Sequence, residues 1–280
     1  MKMTMQKITI LLLVFLSTTI ILAQKKEKIS GSKTITTKNK NIKNFSAIEV
    51  EDNIQVSLER GEFPEIKIEA DDNLIDIIDI EVTDNVLHIS TSKKIIKHKS
   101  LKVKVTYTSE LNTIISKNDS EITAIQEILG DNLIVKTADD SKIFMNANNK
   151  NFALEADGNS KIELNLKSEK TKIALTKGAD LKSLITTDEI IIDLYQKTKA
   201  KIEGEANSGL IRLENNSVLE ANKLTINSIV LIAEGQSKNS INPKKEIIIN
   251  ASEKSETELY GDAKIEINKF TDKAKLSKNQ

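Results

Sequence analysis

Leu154-Glu155-Ala156-Asp157-Gly158-Asn159-Ser160-Lys161-Ile162 is the stretch that decides the fold. It holds an apolar residue, a glycine four residues on, a small residue two further, and an isoleucine two beyond that. The same arrangement returns along the chain. With the small residue as anchor, the series runs Ser120, Ser141, Ser160, Asp180, Ala200, Ser217, Ser237 and Thr257, at spacings of 21, 19, 20, 20, 17, 20 and 20. Two residues before each anchor stand Asn118, Asp139, Gly158, Gly178, Thr198, Asn215, Gly235 and Ser255. Most of these are Gly, Asn or Asp, which tolerate a left-handed backbone and so mark one recurring turn. Six residues before each anchor the side chain is apolar: Ile114, Val135, Leu154, Ala174, Leu194, Ile211, Leu231 and Ala251. Two residues after it an aliphatic side chain recurs, with Lys182 and Asn239 as exceptions. The fourth rung reads better shifted by one residue, where Ile173, Leu175 and Leu181 alternate.

A unit of about 20 residues with short strands and a fixed turn cannot bury its own apolar face, so it must stack on its neighbours. The predicted fold is all-β, a β-solenoid with coils of about 20 residues. Its core would be a continuous aliphatic column, and each fully buried Ile, Leu or Val adds roughly 1.5–3 kcal/mol. A β-sandwich with evenly spaced hairpins is the competing arrangement. Residues 45–110 precede the regular repeats with longer alternating runs, such as Leu101-x-Val103-x-Val105-x-Tyr107. Leu74 to Ile80 breaks the alternation and suits either a helical turn or a buried strand.

Both ends read differently. Lys2 and Lys7 followed by the apolar run Ile8–Leu16, and by Ala23, form a secretory signal over residues 1–23. The alternative is an uncleaved anchor, but the apolar run is short for a span of about 20 residues. An exported location follows: cell surface, extracellular or periplasmic. Residues 24–44 are rich in Lys, Thr and Asn and read as a flexible lead-in; residues 268–280 read as a charged tail or cap. The solenoid domain is expected over 45–267.

Composition narrows the function. Basic and acidic residues balance at 41 each, which argues against a nucleic-acid partner. No cysteine is present, so neither a disulfide framework nor a lipidated cysteine is available. Only His88 and His98 occur, both outside the repeats, and no Gly-x-Ser-x-Gly turn is found. Asp119, Asp140 and Asn159 would stack on successive coils, as a hydrated corner or as oxygen ligands for calcium. A polysaccharide lyase or hydrolase on this fold would need acids such as Asp139, Asp157 or Asp180 clustered with Arg212, the one arginine in the repeats. No catalytic, cofactor or metal residue is assigned.

Phe45 to Val50, Ile54 to Leu58, Gly61, Asn73-Leu74, Val86 to Ile89, Val103 to Tyr107 and Leu111 together resemble the opening of the head GIN domain family, named as auto-transporter adhesins. The resemblance spans roughly residues 45–265 and implies a right-handed parallel β-helix and an exported, adhesive protein. The C-terminus lacks the long alternating runs and aromatic girdles of a translocator barrel. The expected function is a non-catalytic adhesin or envelope-binding protein that meets a surface glycan or protein by avidity. The alternatives are the polysaccharide-cleaving enzyme and a self-assembling envelope scaffold that polymerises through its end coils; a homo-oligomer is compatible with either.

Overall fold

The computed structural model describes residues 26–279, and the expected signal at 1–23 lies outside them. The chain is a parallel β-solenoid of about nine coils. Its centre is a run of long strands, one per coil: Lys142–Ala156, Lys161–Leu175, Asp180–Leu194, Lys199–Leu213, Val218–Ala233 and Lys238–Ala251. Each lies parallel and nearly in register on the next, so Ile143 meets Ile162 and Ile162 meets Leu181. Each strand buries alternate residues, then exposes two in succession, as at Lys150 and Asn151, before alternation resumes. That double exposure turns a corner. The coil is thus a flattened loop with two faces, closed by the recurring turn.

The core column is Ile114, Val135, Leu154, Ile173, Ile192, Ile211, Leu231 and Ile249, each at most 1% exposed. The anchor of each turn lies in a buried corner. The register runs Ser120, Ser141, Ser160, Ala179, Thr198, Ser217, Ser237 and Ser255. Three expected anchors are therefore corrected: Asp180 gives way to Ala179, Ala200 to Thr198, and Thr257 to Ser255. The apolar positions move with them, from Ala174, Leu194 and Ala251 to Ile173, Ile192 and Ile249. Lys182 ceases to be an exception, because Leu181 takes the inward place. The repeat is then 19 residues across most coils.

Nine turns carry a positive φ two residues before the anchor, at Asn118, Asp139, Gly158, Lys177, Gln196, Asn215, Gly235, Glu253 and Asp272. Two of the serines in the corner tie their turn to the neighbouring coil. Ser120 Oγ donates to the Val50 carbonyl at 3.1 Å, and Ser141 Oγ to the Ser116 carbonyl at 3.0 Å.

The N-terminal end is closed by a different device. Ala47–Val50 and Gln55–Arg60 make the first coil, and Val86–Thr91 and Leu101–Tyr107 extend it in parallel. Antiparallel strands then finish both sides: Ile78–Thr83 on Val86–Thr91, and Glu65–Asp71 on Leu101–Tyr107. The stretch that broke the sequence pattern is a 3-10 helix, Asp72–Ile77, whose Leu74, Ile75 and Ile77 plug the core. The lead-in contributes two strands, Lys28–Ser30 against Lys94–Lys97 and Ile35–Asn41 against Glu65–Asp71. Asp71 ties these pieces together, accepting the backbone N–H groups of Lys33, Lys99 and Ser100 at 2.8–3.0 Å. Burial pushes its carboxyl up, but the N–H donors of Ser100, Lys33 and Lys99 outweigh that and hold it below the usual range.

At the other end the stretch expected as a charged tail or cap takes part in a last coil. Lys264–Phe270 stacks on Lys238–Ala251, and Lys275–Lys278 on Glu256–Leu259.

Candidate binding faces

The register that buries one column exposes its neighbour. On the face preceding the recurring turn, the outward residues in line are Ile134, Ala153, Lys172, Ile191, Leu210, Val230 and Ile248. Six of the seven are aliphatic. Ile134 and Val230 are 39% and 36% exposed, and the other aliphatic members are half-buried. The sheet is therefore apolar on both surfaces along this line, which a solvated face does not require. Two shallow hollows of about 400 and 260 Å³ lie along it. Phe152 and Ile191 line the larger one.

Two pairs of charged groups beside the row are matched across coils. Arg212 forks onto Asp193, its Nε donating at 2.5 Å and its Nη2 at 2.8 Å. That hydrogen bond holds the guanidinium's pKa above its ordinary value. Lys136 pairs with Glu155 at 2.8 Å on the rungs before. Arg212, the residue a polysaccharide-cleaving site would need, is thus engaged by a carboxylate of the adjacent coil.

The opposite face carries a hollow of about 670 Å³. Phe144, Glu163, Lys182 and Lys201 follow one another along it, and beside them Asn146, Asn165, Leu184 and Glu203. Asn165 Nδ2 donates to Asn146 Oδ1 at 2.8 Å, a single amide pair across the two coils. Leu184 is 52% exposed within it. A β-bulge after Lys201 ends the regular stacking, and Gly204 sits there at φ 121°. A Cβ at Gly204 would lie 2.0 Å from the Ile185 carbonyl oxygen, so the approach of the coils requires glycine.

The remaining sequence candidates are scattered. Asp140 and Asn159 do come together, Asn159 Nδ2 donating to Asp140 Oδ1 at 3.2 Å, which uses the carboxylate to fasten the turn. Asp139 accepts the backbone N–H of Asn118 at 3.4 Å, and Asp157 pairs with Lys177 at 2.6 Å. Among the described residues no group of three or more acidic or histidine side chains is placed to hold a metal ion. His88 stands 4.0 Å from Glu49 at the N-terminal end, with its side chain half exposed. The aliphatic row escaped the sequence reading. Its signal was the runs Ile190-Ile191-Ile192, Ile229 to Ile232 and Ile247-Ile248-Ile249, where the outward residue is as apolar as its neighbours.

Solved structures share this fold at low identity. A putative adhesin from Parabacteroides merdae is 16% identical with a TM-score of 0.67, covering 91% of this chain and 100% of its own. A putative adhesin from Parabacteroides distasonis is 16% identical with a TM-score of 0.70, covering 90% of this chain and 100% of its own. A putative lipid binding protein from the latter species is 12% identical with a TM-score of 0.63, covering 91% of this chain and 100% of its own. No curated protein matches the chain. No helix among the described residues is long and apolar enough to cross a membrane. The model of one family matches twice, over residues 44–182 and 163–263, as a repeating coil allows. The chain belongs to that family, the head GIN domain, described as a putative auto-transporter adhesin.

Proposed function

We propose that this chain is an exported, non-catalytic binding protein of the adhesin type, whose contact surface is the aliphatic face. One observation carries the reading: the outward line from Ile134 to Ile248, held in register over seven coils. At about 4.8 Å per coil it runs roughly 29 Å. A rigid row of equivalent groups suits an extended partner, because contacts that are weak singly add along it. The aliphatic row supplies the desolvation that such contacts need. Membership of an adhesin-named family and the fold of two adhesin-named neighbours support the role.

The test is binding of the purified chain to arrays of surface proteins and glycans, repeated with Ile191→Glu and Leu210→Glu. Both side chains are half-buried on the face, so each charge should weaken binding at least about tenfold while the melting temperature changes little. Lys182→Glu on the opposite face should leave binding unchanged. Binding indifferent to both face variants would remove the assignment. Protease shaving of intact cells checks the location, with loss of the chain expected while a periplasmic control survives. A second reading, an acyl chain lying in the hollows, is favoured by their aliphatic lining. It predicts that vesicles or fatty acids compete with the array ligand.

A further inference from the structure

The two ends of the solenoid are unequal. At the N-terminal end the core is plugged by Leu74, Ile75 and Ile77 of the 3-10 helix, all buried. The outermost strand there, Ile35–Asn41, is mostly polar, with Lys38 and Lys40, the pattern of a guarded edge. Among the described residues no such plug covers the C-terminal end. Ile265 and Ile267 stack on Ile247 and Ile249 of the core, and Phe270 on Ala251, yet they are 41%, 50% and 42% exposed. Lys264–Phe270 and Lys275–Lys278 also present one unpaired backbone edge each, with the sheet ending at these strands.

A cover for this end must satisfy both the apolar residues and the backbone groups, which a lipid surface would leave without partners. A strand does both. We propose that the cover is the same end of a second copy, related by a two-fold axis across the solenoid, so that the start of Lys264–Phe270 pairs antiparallel with itself over residues 264–266. The charges suit this. Lys269, Lys275 and Lys278 are already paired with Glu234, Glu256 and Asp262 of the chain itself. Among the described residues of the last coil this leaves Lys264, Lys273, Glu266 and Asp272 without ion pairs, two of each sign. With Ile265 on the axis, each Lys264 faces Glu266 of the second copy, and the inward Ile265 faces its counterpart. Head-to-tail stacking would instead set this edge on the plugged, lysine-bearing end. The assembly is therefore an isologous dimer that closes, not the growing filament that two open ends would give.

Light scattering coupled to size exclusion tests it on the purified chain. The expected mass is twice that of one chain, unchanged as concentration rises. Ile267→Lys should return the mass to one chain while circular dichroism keeps its β signature. Lys264→Glu and Glu266→Lys should each raise the dimer dissociation constant about tenfold, and the double swap should restore it, which a folding defect would not do. A single-chain mass at all concentrations, a mass that grows without a plateau, or a dimer indifferent to Ile267→Lys would each overturn the proposal.

Discussion

Replacing Gln196 with glycine is expected to stabilise the protein, although it removes a side chain. Gln196 holds φ 66° at the recurring turn, where Gly158 holds φ 72° one side of it and Gly235 φ 72° the other. Its side chain is exposed, so little packing is lost. An L-residue in the left-handed region costs roughly 1–2 kcal/mol. The added freedom of glycine in the unfolded chain returns about 0.4–1 kcal/mol of that. The net gain is about 0.5–1 kcal/mol, or ~1–4 °C in melting temperature for a chain of this size. A coil contacts only its neighbours, so hydrogen exchange should report the gain locally. The amides of Lys197 and Lys199, which donate to Lys177 and Ala179, should exchange about two- to fivefold more slowly. Gln196→Ala keeps the strain and should change little. Gly158→Ala runs the comparison backwards, because its Cβ would stand 2.7 Å from the Asp139 nitrogen in addition to the φ penalty. A loss of about 3 kcal/mol is expected. If Gln196→Gly proves no more stable than Gln196→Ala, the turn is not strained and the argument fails.

Ile192→Ala, at the middle of the core column with no exposure, should cost about 2–5 kcal/mol in thermal unfolding. Arg212→Lys keeps the charge beside Asp193 but loses the fork, so a loss of about 1 kcal/mol is expected, smaller than for Arg212→Ala. Asp71 is held below its ordinary pKa when folded, so its contribution is complete above about pH 4 and is lost as pH falls through the lower folded value. Acid titration followed by hydrogen exchange should show the amides of Lys33, Lys99 and Ser100 opening first, and Asp71→Asn should abolish that early step.

The solenoid was legible because burial alternates along every coil and one turn recurs. The rungs that slipped share a cause. Lys177, Gln196 and Glu253 occupy left-handed positions that sequence reading assigns to Gly, Asn or Asp, and Gly178 beside Lys177 drew the register off by one. Strands buried on neither face leave no alternation to read, and Ile35–Asn41 is exposed throughout, so the lead-in hid its pairing. The last coil is equally exposed along Lys264–Phe270, and its lysines made it resemble a tail. The aliphatic row was hidden for the opposite reason, since inward and outward residues are both apolar at Ile191 and Ile192. The hollows depend on which coils lie side by side, and that became fixed only with the register.

The near-invariant register has a consequence for size. Removing one whole coil, Asp180 to Thr198, would set Lys199 directly on Lys161, with Ala200 in the place of Leu181 on Ile162 and the turn unbroken. Length is thus a countable property of this molecule: each repeat gained or lost moves the far end by about 4.8 Å and leaves the character of both faces unchanged. The coil works as a graduation on a ruler, and the reach between the plugged end and the open one can be reset by duplication without redesigning either.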